Sequence, residues 1–262
     1  MIITYFRSSS YNQYSMCPHA YYLTYVLGHQ SPSGQAAEKG TIVHKVMECL
    51  AAAKLSHQNS EDSFEIDEPW AKYSYVAPDG TKLDGSLSMK GTIDLITEER
   101  PSVYEVIDWK TGRRLDWATG KEKDFKRLTT DPQLRIYHYA LSKMYPDIDQ
   151  FIMTIYFIKD GGPYTLAFTK DDMQDTLDMI RKRFEEIRDC HTPRLKKSWK
   201  CTKICHFGKN AHSSGIIDPE TGEPFTICEY VAQKIRKEGL DLSLAEDMSP
   251  GHKFDYYQAP GG

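Results

Sequence analysis

"YEVIDWKTGRR", residues 104–114, is an apolar run that stops on Asp108, Trp109 and Lys110 and then turns at a glycine. Strand alternation puts Val106, Asp108 and Lys110 on one face and Glu105, Ile107 and Trp109 on the other. A carboxylate and an ammonium at the end of an apolar strand therefore share one site. Upstream, "KGTIDLITEE", residues 90–99, sets Asp94 inside a β-branched run, where an unpaired carboxylate is costly and a bound cation removes the cost. Two aspartates and an imidazole supply oxygen and nitrogen ligands for Mg²⁺ or Mn²⁺, with positions left for water and a phosphate oxygen. Lys110 adds a compact charge suited to an attacking water or a pentacovalent phosphate. The pattern fits metal-assisted phosphodiester hydrolysis.

Working outward, residues 34–55 ("GQAAEKGTIVHKVMECLAAAKL") predict a helix whose apolar stripe, Ile42, Val43, Val46, Met47 and Leu50, is expected to pack on a sheet, with His44 beside it and Cys49 in the core. Strand-like runs follow at 64–70, 72–76, 87–99, 102–110, 150–158 and 163–169. A helix over 131–145 starts at Asp-Pro, and a polar helix spans 170–190. Residues 8–27 predict two short helical segments interrupted at Pro18. The fold expected is α/β, a mixed central sheet flanked by helices, with a cysteine-containing C-terminal module. One domain is expected over 1–240, the module at 190–230, and a mobile tail at 241–262. No run of about 18 apolar residues and no leader pattern is present, so the expectation is a soluble, cytoplasmic protein with no membrane partner. A chain of 262 residues with net charge −4 has no global attraction to nucleic acid, so any binding must use local basic patches.

The order "GTIVH", "GTID", "VIDWKTG" and "QLRIYHYA" resembles the signature of the PD-(D/E)xK nuclease superfamily, and its RecB-type branch in particular. That branch includes RecB and AddB nuclease domains, a CRISPR-associated iron-sulfur exonuclease and phage exonucleases. The resemblance implies a restriction-endonuclease-like core. It also implies His44, Asp94 and Asp108 as metal ligands, Lys110 as the catalytic lysine, and Gln133 with Tyr137 as residues that hold the lysine or the substrate phosphate. Ile93 stands where the superfamily's name-giving proline precedes the first acidic residue. Glu48, one turn beyond His44, is a candidate to assist the metal. Glu105, on the other strand face, is expected to make a structural contact.

Six cysteines without secretory spacing point to reduced thiols or metal ligation. The resemblance implies a [4Fe-4S] cluster on Cys17, Cys201, Cys205 and Cys228, with Cys190 as a spare. The competing readings are zinc, with His206 or His212 joining the cysteines, and no metal at all. Arg113 and Arg114 are candidate phosphate contacts, Lys121, Lys123, Lys126 and Arg127 a basic arm, and Trp117 and Trp199 candidate stacking residues. "RKR", residues 181–183, reads as a solvated helix face. The expected activity is that of a Mg²⁺- or Mn²⁺-dependent deoxyribonuclease. It would act as an exonuclease on single strands or duplex ends in recombination, repair or phage replication, in a bacterial cell or phage-infected host. A helicase, recombinase or single-strand-binding protein is the expected partner class. The rival readings are a DNA-binding subunit active only in a larger complex and a structure-specific endonuclease.

Overall fold

The computed structural model describes residues 1–29, 35–54, 60–77, 79–115, 121–160, 162–209, 211 and 216–239. Trp117, His212 and the expected tail at 241–262 lie outside the described residues. The chain divides into two compact units: Met1–Asn12, Glu38–Arg114 and Asp124–Thr192 form one, and Gln13–Ala37, Leu115–Lys123 and Pro193–Gly262 the other.

The first unit carries a mixed sheet, six-stranded among the described residues, made of β1 (Tyr5–Phe6), β2 (Ser60–Val76), β3 (Lys82–Arg100), β4 (Val103–Lys110), β5 (Gln150–Phe157) and β6 (Gly162–Thr169). Strand order is β1-β3-β4-β5-β6, and β2 pairs with β3 on the edge opposite β1 and β4. The runs expected at 64–70 and 72–76 are one strand, β2, whose register shifts between Glu68 and Lys72. β4 and β5 are parallel, with Asp108 level with Ile155 and Lys110 with Phe157. A parallel pair needs a crossover, and here it includes α4 (Phe125–Thr129) and α5 (Pro132–Met144). Asp131 caps α5 by accepting the Gln133 N–H at 2.9 Å, and Pro132 fills the first helical position, so the sequence fixes where Gln133 begins its helix. The core joins Val106, Met153 and Ile155 of the sheet with Ile136, Ala140 and Leu141 of α5 and Ile180, Phe184 and Ile187 of α6 (Asp172–Arg188).

Buried Glu68, 0% exposed, accepts from the Trp70 indole at 2.6 Å and Tyr139 OH at 3.0 Å and is paired with Lys143 at 2.8 Å. A carboxylate in an apolar interior requires such partners. Trp70 is its neighbour on β2, whereas Tyr139 and Lys143 come from α5, far along the chain.

α1 (Ser8–Met16) begins in the first unit and ends in the second, where α2 (Pro18–Tyr21) and a π-helical turn (Tyr22–Val26) follow. The second unit also contains α7 (Lys200–Lys203), α8 (His206–Lys209) and α9 (Glu229–Glu238), around a core of Ala20, Leu23, Phe207, Ala211, Val231 and Ile235. At Gly208 a Cβ would lie 1.7 Å from the Cys201 carbonyl oxygen, so only glycine permits that crossing of backbone.

α3 (Gln35–Lys54) forms as expected, but its orientation corrects the sequence reading. Ile42, Val46 and Leu50 are 64%, 52% and 52% exposed, and Cys49 is exposed rather than core. The half-buried positions are Gly40, Val43, His44, Met47 and Glu48, a 3.6-residue face rotated away from the apolar stripe. The helix turns His44 and Glu48 inward at the expense of apolar burial.

Candidate active site

Strand β4 delivers Asp108 and Lys110 to one face, as alternation requires. Asp108 is 3% exposed. Its Oδ1 accepts from Gln133 Nε2 at 2.8 Å, and its Oδ2 lies 2.6 Å from Lys110 Nζ. Gln133 also accepts from Lys110 Nζ at 3.0 Å and donates to Tyr137 OH at 2.9 Å. Tyr137 OH donates in turn to the Thr92 carbonyl at 2.8 Å. One helical turn separates Gln133 from Tyr137, so the amide and the phenol meet on one face of α5. The result is a continuous chain from β4 through α5 to β3, with the lysine fixed by a glutamine rather than left to sample solvent.

Asp94 comes from β3. Its Oδ2 accepts the Trp109 N–H at 2.8 Å, and its Oδ1 lies 3.4 Å from His44 Nδ1 on α3. Glu48 is bound by Lys45 at 2.8 and 2.9 Å. Glu105 accepts from the Thr154 hydroxyl, a contact within the sheet and away from the Asp108 face.

Burial holds the Asp108 carboxyl above the usual carboxylate range; Lys110 opposes that shift, and Asp94 and Asp131 add to it. Tyr137 is likewise raised, first by burial and then by Asp108, which keeps it a neutral donor. Asp108 Oδ2 is buried without an aligned hydrogen-bond donor. An anionic oxygen so placed suits a divalent cation held by carboxylates, water and a phosphate oxygen. Mg²⁺ is commonly bound in that way rather than by an all-protein cage. Among the described residues, no group of three or more His, Cys, Asp or Glu is drawn together as a metal cage. Asp94 and Asp108, with His44, would hold the ion, whose chemistry is to activate water and polarise a phosphate. Lys110, held by Gln133, would present its charge beside such a phosphate.

The mixed sheet carries two aspartates and a lysine on adjoining strands, braced by a helix-borne glutamine and tyrosine, an arrangement that suits phosphodiester hydrolysis. The sequence matches the PD-(D/E)XK nuclease superfamily over residues 8–78 and 71–209, and the chain belongs to that superfamily. Its members generally use divalent metals such as Mg²⁺, and their substrates are nucleic acids. Among solved structures, SSO0001 is 18% identical with TM-score 0.44, covering 79% of this chain and 85% of its own. A candidate exonuclease from Eubacterium rectale is 12% identical with TM-score 0.45, covering 82% and 90%. No curated protein sequence matches the chain.

Arg113 Nε lies 3.2 Å from Asp160 Oδ1, the Arg114 N–H donates to the same carboxylate, and the Arg114 guanidinium covers the Tyr164 ring at 3.9 Å. Both arginines thus brace the β5–β6 turn region. Lys126 and Arg127 are exposed on α4, whereas Lys121 and Lys123 belong to the second unit. Of residues 181–183, Arg181 and Arg183 cover Trp70 and Tyr11 at 5.1 and 4.2 Å. Trp199 is half-buried at the start of α7, with Lys200 Nζ 5.9 Å from its ring.

Within the second unit, Cys17, Cys201, Cys205 and Cys228 line one cavity together with Leu23, Phe207 and Val231. The Lys196 N–H points at Cys17 Sγ at 3.4 Å. Burial pushes the Cys205 thiol up to about 12 and raises Cys228 as well, and the neighbouring cysteines add to both. His206 is exposed and does not line this cavity, and Cys190 belongs to the other unit. No helix among the described residues is long and apolar enough to cross a membrane.

Proposed function

We propose that the chain is a Mg²⁺- or Mn²⁺-dependent deoxyribonuclease, acting as an exonuclease on single-stranded DNA or duplex ends in recombination, repair or phage replication. The observation that supports an active enzyme is Gln133, whose one amide holds both Lys110 and Asp108 while leaning on Tyr137. A scaffold kept only for binding has no need to fix an ammonium against a buried carboxylate. The same proposal places a [4Fe-4S] cluster in the second unit. Its support is the convergence of the four thiols on one cavity. Zinc on the same thiols is the competing reading, since thiolates are ligands of both.

The test is cleavage of end-labelled single-stranded, duplex and circular DNA in Mg²⁺, Mn²⁺ or EDTA. Metal-dependent stepwise shortening of linear substrates, with circles spared, is expected. Cutting of circles would make it an endonuclease, and binding without cutting would leave a subunit that depends on a larger complex.

A further inference from the structure

β1 is two residues long and pairs parallel with β3 at Tyr5↔Ser88 and Phe6↔Met89. That register brings the next residue, Arg7, level with Lys90. The chain then enters α1 at Ser8. Along β3, alternation sets Lys90, Thr92 and Asp94 on one face, with Lys90 about 13 Å from Asp94 at the usual strand rise. A cleft of about 670 Å³ follows this face, and Arg7, Ser8, Ser63, Lys90, Thr92 and Tyr137 are in its lining. Tyr137 and Thr92 belong to both the cleft and the hydrogen-bonded chain at the active site. The cleft therefore starts at the catalytic constellation and ends between two cations. Among the described residues of its lining, the carboxylate is Glu65, paired with Lys90 at 2.7 Å. The first turn of α1 adds partial positive charge.

We propose that this cleft holds an unpaired nucleic-acid strand next to the reacting phosphate. Arg7 and Lys90 contact a backbone phosphate one or two nucleotides away, and the Ser8 and Ser63 hydroxyls donate to its oxygens. The inference rests on the nuclease reading. Size is compatible with this ligand: the volume is that of a small-molecule pocket, roughly 300–1,000 Å³, which takes a short stretch of strand rather than a whole duplex. Charge agrees, since Arg7 and Lys90 outnumber Glu65 here, while Arg113 and Arg114 are engaged by Asp160 and Tyr164.

The test measures binding of a fluorescent single-stranded oligonucleotide against salt, and separately Mg²⁺-dependent cleavage kinetics. Each of Arg7→Ala and Lys90→Ala should reduce the slope of log affinity against log salt by about 0.7, the single-strand value per phosphate contact. Both should raise KM for the oligonucleotide more than they lower kcat. Glu65→Gln should tighten binding several-fold, an effect that damage to the fold cannot mimic. Lys170→Ala, an exposed lysine paired with Asp149 away from the cleft, serves as the control with unchanged slope. If the native chain cleaves DNA and Asp108→Asn does not, yet the Arg7, Lys90 and Glu65 variants bind as the native chain does, the cleft assignment falls and the nuclease reading stands. If the native chain neither binds nor cleaves a strand, both fall together.

Discussion

At Asp108, stability and chemistry pull in opposite directions. The carboxyl is nearly fully buried, and its raised pKa records what that burial costs. Asp108→Asn keeps the shape and removes the charge, and Lys110, about a third exposed, can turn to water. The variant should therefore melt at the same temperature as the native chain or higher, while metal-dependent cleavage falls by at least about a hundredfold. Lys110→Ala should lose cleavage to a similar degree, with DNA affinity within a few-fold; unchanged rates in both variants would remove the site. His138 makes a second residue-scale case. It is fully buried, stacked on Phe168 at 5.2 Å, with Nδ1 lacking a partner. Burial lowers its pKa from 6.5 to about 4, with Asp172 opposing and Arg135 assisting the shift. The unfolded chain thus binds the proton more readily, so this contribution is complete above pH 6.5 and is lost as pH falls toward 4. The full loss is about 3 kcal/mol, of which about 2 is gone by pH 5. Urea unfolding at pH 7 and pH 5 should show that decline, and His138→Phe should largely abolish it.

At the scale of elements, strand β2 and helix α5 meet through Phe64, whose ring packs edge-on against Tyr137 at 6.2 Å. Gly91 makes room for it: a Cβ there would stand 2.5 Å from the end of the Phe64 ring. Phe64 is buried and cannot swing aside freely. Gly91→Ala should therefore cost about 1–3 kcal/mol by overpacking and slow cleavage by displacing Tyr137 from Gln133; unaltered melting and rate together would show that the ring yields without consequence. The strands and α5 were legible in the sequence because alternation, the Asp-Pro cap and the Asp-x-Lys spacing are local signals. The orientation of α3 was not. Its apolar stripe is the stronger periodic signal, yet the inward face carries Glu48 and His44, the latter 3.4 Å from Asp94, a residue of another element that local periodicity does not register. Glu68 was illegible for another reason, since Tyr139 and Lys143 become its partners only once β2 lies against α5.

Across the whole molecule, the second unit is assembled from three separate stretches of chain, residues 13–37, 115–123 and 193–262. Its apolar core joins Ala20 and Leu23 to Phe207, Val231 and Ile235, residues from opposite ends of the sequence. Cys17 sits in extended backbone just before α2, and Cys201, Cys205 and Cys228 come from the far end of the chain, yet all four line one cavity. The high pKa of Cys205 means that without a metal its thiol stays protonated at neutral pH, so metal loading must release protons and should weaken in acid. Anaerobically purified protein is expected to be brown, with about four irons per chain for this cluster type. Cys17→Ser should lower the melting temperature of the iron-loaded protein well beyond the effect of Cys190→Ser, because it releases the longest loop that the metal closes. One zinc per chain in colourless protein would replace the cluster with a single ion. Metal-free protein whose stability ignores Cys17→Ser would reduce the four thiols to packing.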